Sequence, residues 1–211
     1  MTFKEELEKK LCSSKFRLIN EKIYTKNTVN LSKRAMEEYH RGYEEQLKKW
    51  PVDPLDVIVE RIKQIKNDNI ADIGCGGGRL MERLSGYVVH SFDLYPINKK
   101  IIKCDMKKIP LEDNSVDVVV YCLSLMKNNV FEIIKEGNRI LSDGGRMIIA
   151  EVKSRVKNFK SFIHAIEKVG FKHQDNEFRN SHFIVCEFIK VESCKLKKHM
   201  IKLEPCKFIK R

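Results

Sequence analysis

Asp72, Asp93 and Asp105 each close a short apolar run, and the first of them leads into a glycine-rich turn, Gly74-Cys75-Gly76-Gly77-Gly78. Carboxylates at consecutive strand ends can accept hydrogen bonds from both hydroxyls of a ribose and from the amino group of a purine, while a turn without side chains lets ligand atoms approach the backbone. Asp93 stands 19 positions past Gly74, the interval at which a strand-end acid meets a ribose. The dinucleotide pattern G-x-G-x-x-G begun at Gly74 would need glycine where Arg79 stands, and the G-K-[ST] of a phosphate-binding loop is missing. A nucleoside without a pyrophosphate fits better, and S-adenosylmethionine is the expected ligand ahead of NAD. Taken singly, each carboxylate would read as a cap or turn residue.

These acids need a scaffold. Short apolar runs, "NIADIG", "VVHSFD", "IIKCD", "VDVVVYC", "RMIIAEV" and "HFIVCEFIKV", read as strands. Stretches near 78 to 85, 129 to 141 and 157 to 169 read as helices between them. Continuous apolar strands are buried on both faces, which predicts a doubly wound α/β fold with a mostly parallel sheet. "LSDGGR" reads as a helix stop and turn. Upstream, Leu31, Ala35, Met36, Tyr39, Tyr43, Leu47 and Trp50 recur at helical spacing, so one face of a helix must pack on something. "WPVDP" ends it, and Asp53 before Pro54 can cap a second helix through about Ile65. The expected organisation is a helical extension over 1–50, a catalytic domain over 51–190 and a basic tail over 191–211.

The chain has 211 residues, 42% of them hydrophobic, and a net charge of +12. Residues 190–211 carry +6 and residues 1–49 carry +4, leaving +2 for the middle. That distribution suits a polyanion held by the flanks of a nearly neutral core, or simply lysine-rich soluble ends. There is no signal-peptide-like amino terminus and no apolar run of bilayer length, so a soluble intracellular protein with no membrane partner is expected. Seven cysteines without a C-x-x-C pair predict reduced thiols and no metal site.

At several of these residues the chain resembles the ribosomal RNA-processing protein 8 family, which includes nucleomethylin. The resemblance rests on "YHRGYEEQLKKWPVDPLDVI", "ADIGCGGGRL", "VHSFDL", "CDMKKIPLEDNSVDVVVYCLSLM", "EGNRILSDGGRMIIAEVKSR" and "NSHFIVCEF", with "RLINEKIY" and the tail "IKLEPCKFIKR". It implies a Rossmann-like, seven-stranded class I methyltransferase fold. It also implies a nuclear, nucleolar enzyme that uses S-adenosylmethionine to form 1-methyladenosine in large-subunit ribosomal RNA. Carried over position by position, the cofactor contacts would be His40, Gly74, Asp93, Asp105, Met106 and Cys122. The expected partner is ribosomal RNA held through the basic flanks, with Lys195, Lys197, Lys198 and Lys202 as its contacts in the tail. The protein is expected to act as a monomer, alongside pre-ribosomal proteins. Two departures stand out: "DIGCGG" replaces the family's "DFGCGD", and "SLMKNN" replaces "SLMGTN", placing Lys127 at the mouth of the expected pocket.

The implied chemistry needs no obvious base. Adenine N1 carries an in-plane lone pair, so alignment with the sulfonium methyl matters more than proton removal. N1 lies on the Watson–Crick edge, so the adenine must be unpaired or flipped out. Tyr39, Tyr43 and Phe183 could stack on it, although each also reads as core. The N/D-P-P-Y/F stretch of exocyclic-amine enzymes is missing, and Cys122, inside an apolar strand, reads as a small buried hydrophobe rather than a nucleophile. His182 is left without a role. The competing class is a methyltransferase-fold adaptor that binds RNA or chromatin without turnover.

Overall fold

The computed structural model describes residues 3–25, 31–65, 69–126 and 129–206. Two helices come first, α1 (Phe3–Thr25) and α2 (Lys33–Leu47). The Ser32 hydroxyl accepts from the Ala35 N–H at 3.2 Å and starts α2, satisfying one of the donors that a helix amino terminus leaves free. Phe16 and Ile19 of α1 meet Met36 and Tyr39 of α2 in a small core of their own. The expected stop holds: α3 (Pro54–Gln64) begins with Asp53 accepting from the Leu55 N–H at 3.0 Å and with proline in its first turn.

The strands are β1 (Asn69–Ile73), β2 (Val88–Asp93), β3 (Ile102–Lys103), β4 (Val116–Cys122), β5 (Leu141–Val152), β6 (Phe171–Arg179) and β7 (Phe183–Lys190). They form one seven-stranded sheet in the order β3-β2-β1-β4-β5-β7-β6. All neighbours are parallel except β7, which runs antiparallel to both β5 and β6. Between the strands lie α4 (Arg79–Arg83), α5 (Val130–Ile140) and α6 (Phe159–Glu167). This is the doubly wound α/β fold that the apolar runs predicted.

The period-two pleat divides the strands between two cores. Val118 and Val120 of β4 and Ile148 and Ala150 of β5 face α3 and α4, packing with Ile58, Ile62 and Leu80. Their neighbours Val119, Tyr121, Met147 and Ile149 face α5 and α6, packing with Ile134, Phe162 and Ile166. Full burial of each such aliphatic side chain contributes roughly 1.5–3 kcal/mol, so the two layers fix the sheet that carries the site.

Two sequence expectations need correction, and a third residue resolves to core. "IIKCD" pairs only at Ile102 and Lys103, so Asp105 lies in a turn two residues past the strand, where it accepts from the Lys107 N–H at 3.1 Å. "LSDGGR" falls within β5, although the register against β4 shifts there and Gly144 takes a positive φ of 75°. Phe183 is fully buried, with Trp50 and Phe178 stacked on it at 5.7 Å each, so it is core and offers no face to a base. The segment after Lys190 has no helix or strand through 206, yet Ile201 is buried and Cys194, Leu196 and Leu203 pack against the main core.

Candidate functional site

The strand order reverses between β1 and β4, because β1 is flanked by β2 on one side and β4 on the other. At such a switch point the loops leaving the strands diverge and open a crevice beyond their carboxyl ends. A cleft lies there, and His40, Gly74, Asp93, Asp105, Met106 and Cys122 all line it, together with Asp72 and Tyr43. The residues singled out in the sequence therefore come together from α2, the glycine turn, β2, the turn after β3 and the end of β4.

The turn is shaped by its surroundings. Gly74 has φ +74°, and a Cβ there would stand 2.5 Å from Ser124 Cβ, so both conformation and space require glycine. The Gly74 and Cys75 N–H groups both donate to the Phe92 carbonyl, at 2.8 and 3.0 Å. Gly76, at φ +58°, then presents its N–H to Asp93 Oδ2 at 2.9 Å, while Asp93 Oδ1 accepts from the Tyr95 N–H at 2.8 Å. Two backbone donors thus hold one carboxylate in a single orientation, and each carboxylate oxygen keeps further acceptor capacity.

Asp72 is the most buried of the three acids. It is 3% exposed, and burial, with the nearby Asp93 charge adding to it, pushes its carboxyl up to about 7. A cation arriving beside it would favour the ionised form. His40 packs over the turn, its ring atoms 3.5 Å from where a Cβ on Gly76 would stand. Its Nε2 is buried with no hydrogen-bond partner among the described residues, and burial lowers its pKa, with Asp93 and Glu44 opposing. A buried imidazole nitrogen left unpaired costs free energy that a ligand donor or acceptor can recover. The Cys122 thiol is pushed well up, chiefly by burial, so it stays protonated and makes a poor nucleophile. Burial likewise raises the phenols of Tyr39 and Tyr43.

The remaining wall follows β4. Leu123 takes a left-handed φ of 56°, a strained conformation for a side chain of its size, and its N–H donates to the Ala150 carbonyl at 2.9 Å. That bend turns Ser124 back onto β1, where its hydroxyl donates to the Ile73 carbonyl at 2.8 Å. The Tyr39 hydroxyl meets Met126 Sδ at 3.6 Å, tying the amino-terminal helices to this wall. Lys127 lies outside the described residues.

Sequence reasoning missed Arg155. Its guanidinium is 2% exposed and pairs with Glu151 Oε2 at 2.5 Å. It also donates to the carbonyls of Leu125 and Glu204 at 2.8 Å each, and sits 4.5 Å over the Tyr24 ring. One buried cation therefore joins the β5 end, the cleft wall, the carboxyl-terminal segment and α1. Glu151 stands only four residues from Arg155, but no local pattern signals the rest, because Leu125, Glu204 and Tyr24 are far from it in sequence. His182 finds a plain structural role: Asn180 Oδ1 accepts from the His182 and Phe183 N–H groups at 2.7 and 2.8 Å, closing the turn between β6 and β7.

The residues present fit a methyl-donor nucleoside: an anchored carboxylate beside a glycine turn, a buried acid responsive to cations and an unpaired imidazole nitrogen. Among the described residues no group of three or more His, Cys, Asp or Glu could hold a metal, and no helix is long and apolar enough to cross a membrane. The seven cysteines are free thiols.

Comparison with known proteins agrees with this architecture. A family model described as "Hypothetical methyltransferase" matches residues 2–211. The Caenorhabditis elegans protein "Ribosomal RNA-processing protein 8" is 40% identical over 98% of this chain and 63% of its own length. A Schizosaccharomyces pombe protein named "25S rRNA (adenine(645)-N(1))-methyltransferase" is 33% identical over 90% of this chain and 66% of its own. The chain thus spans less than two thirds of the length of these relatives. Among solved structures, a SAM dependent methyltransferase from Aquifex aeolicus superimposes with a TM-score of 0.55 at 16% identity, covering 77% of this chain and all of that one.

Proposed function

The chain belongs to the ribosomal RNA-processing protein 8 family of methyltransferases, and on that premise we propose that it transfers a methyl group from S-adenosylmethionine to N1 of an adenine in large-subunit ribosomal RNA. The observation that carries the reading is the Asp93 carboxylate, fixed by the Gly76 and Tyr95 N–H groups at the rim of the switch-point cleft. In that position it accepts from the ribose hydroxyls. Asp105 and Met106 border the purine, Cys122 packs as an uncharged surface, and His40 closes the cleft over the glycine turn.

Bound there, S-adenosylmethionine supplies an electrophilic methyl on a sulfonium. The protein's task is to present one nucleophile and exclude others. Cys122, Tyr39 and Tyr43 all keep their protons, so none of these three intercepts the methyl as a thiolate or phenolate. Adenine N1 needs no base, and holding it in line with the donor contributes several kcal/mol through lost translational freedom. The methylated base is cationic, which the Asp72 carboxylate favours electrostatically.

In this reading the RNA is gripped by the basic flanks, including Lys195, Lys197, Lys198 and Lys202, and the protein acts as a monomer in the nucleus and nucleolus, alongside pre-ribosomal proteins. The 1–50 extension packs on the 51–190 catalytic domain, and 191–211 is the basic tail. Testing the tail requires charge substitutions rather than truncation, because Ile201 is buried and the Glu204 carbonyl accepts from Arg155. The decisive experiment is methyl transfer from labelled donor to total ribosomal RNA, followed by nucleoside analysis. Label in 1-methyladenosine is expected. Label in another nucleoside would change the product, and silence with donor bound would leave only an adaptor.

A further inference from the structure

Near neutrality of residues 50–189, at +2, hides a local concentration of charge. Residues 94–110, "LYPINKKIIKCDMKKIP", carry five lysines against the single Asp105, or +4, so the rest of that span is −2. Both ends of the segment belong to the cleft: Leu94 and Tyr95 line it on one side, Asp105, Met106 and Lys107 on the other. The residues between them therefore leave the cleft and return to it.

The segment is held in place. Ile97 and Ile101 rest on the glycine turn, their Cδ1 atoms 3.7 and 3.6 Å from where Cβ atoms on Gly77 and Gly78 would stand, and Asn98 Nδ2 donates to the Gly77 carbonyl at 3.5 Å. Its lysines all point to solvent. Among the described residues Lys99, Lys100, Lys103 and Lys108 form no ion pair, whereas Lys195 and Lys202 of the carboxyl-terminal segment lie 3.4 and 3.7 Å from Glu192 and Glu204. Interleaved with them, Ile97 and Ile102 are 46% and 44% exposed. Among the described residues the outer edge of β3 has no neighbouring strand.

From this arrangement we infer that the Lys99–Lys108 segment is a docking track for single-stranded RNA, gripping the phosphates that flank the target adenine. The inference rests on the RNA reading above and deepens it. A strand that delivers a base into the cleft must cross its rim, and unpaired cations beside exposed apolar side chains suit phosphate on one hand and ribose or base on the other. Lysines on an edge strand also discourage strand pairing between molecules; that role alone would leave RNA affinity untouched.

The test measures binding of a single-stranded ribosomal RNA fragment across a salt series. It compares the unmodified protein with a Lys99→Ala/Lys100→Ala/Lys103→Ala variant, its Lys→Arg counterpart and a Lys160→Ala/Lys168→Ala/Lys172→Ala variant of equal charge change, whose exposed lysines belong to α6, the residue after it and β6 at the opposite edge of the sheet. None of these side chains lines the cleft, so affinity for S-adenosylmethionine serves as the check on folding and is expected to be unchanged. Loss of three phosphate contacts should reduce the slope of log affinity against log salt by about 2 and weaken binding roughly tenfold or more. The arginine variant should bind like the unmodified protein. Unmodified protein that binds RNA together with an unaffected edge variant would overturn the track and leave the function standing. Equal losses in the Lys99/Lys100/Lys103 variant and in the variant at the opposite sheet edge would also overturn it, by showing a net-charge effect. If the unmodified protein does not bind RNA, the track and the functional reading both fail.

Discussion

The Gly76 N–H donates to Asp93 Oδ2 across 2.9 Å, so the glycine turn and the tip of β2 orient one another before any ligand arrives. Asp93→Ala is expected to abolish donor binding, a loss of at least about 100-fold from two missing charge-assisted bonds. Asp93→Asn, which keeps an acceptor, should lose less. Calorimetry with S-adenosylmethionine reads both, and unchanged affinity for the alanine variant would remove Asp93 from the site.

Gly74→Ala combines a forced positive φ with a Cβ 2.5 Å from Ser124 Cβ. The expected outcome is destabilisation of about 1–3 kcal/mol with weakened donor binding. Adding Ser124→Gly should relieve the clash and restore part of the melting temperature but not all, because φ remains unfavourable. Full recovery in the double variant would mean that the conformation itself costs nothing.

Asp72 makes stability depend on pH in a definite direction. Its carboxyl is raised to about 7 in the folded protein against 3.8 for the ordinary group, so the fold binds this proton more tightly than the unfolded chain does. That contribution is present at acidic pH, erodes as pH rises above about 4 and is gone past about 7. Asp72→Asn should therefore flatten the fall in melting temperature between pH 5 and pH 8 and raise it at pH 8. Donor affinity should show the opposite trend, rising toward pH 8 in the unmodified protein because a cationic ligand favours the carboxylate. A pH-independent affinity would place the donor's charge elsewhere.

Arg155→Met strands Glu151 in the core without its partner, since the pair is 2% and 0% exposed. Breaking such a pair costs about 3–5 kcal/mol, which corresponds to a fall in melting temperature on the order of 10 °C. Combining it with Glu151→Gln should recover part of that loss. Denaturation monitored by circular dichroism decides it, and a single variant as stable as the double would contradict the pairing.

The parts legible in the sequence are those where local pattern and tertiary role coincide. β1, β4 and β7 are apolar runs because both faces are buried, and Asp53-Pro54 caps α3 through its own neighbours. β6 was not visible: "FKHQDNEFR" is polar because it sits at the sheet edge, and it becomes a strand only by pairing with β7. β3 was overread for the reverse reason, since "IIKCD" has strand-like residues but only two of them find partners in β2. In the cleft, Gly74, Asp93 and Cys122 announce themselves at strand ends. His40 carries no such mark, and only the family resemblance pointed to it. Apart from its pair with Glu151 four residues away, Arg155 depends, like the left-handed Leu123, on contacts between distant segments, which no window of sequence contains.

Arg155 also has a bearing on how the protein comes into being. Its guanidinium grips the cleft wall at Leu125 with one nitrogen and the Glu204 carbonyl with another. The second of these bonds needs residue 204, so that half of the clamp can close only after nearly all of the described chain has been made.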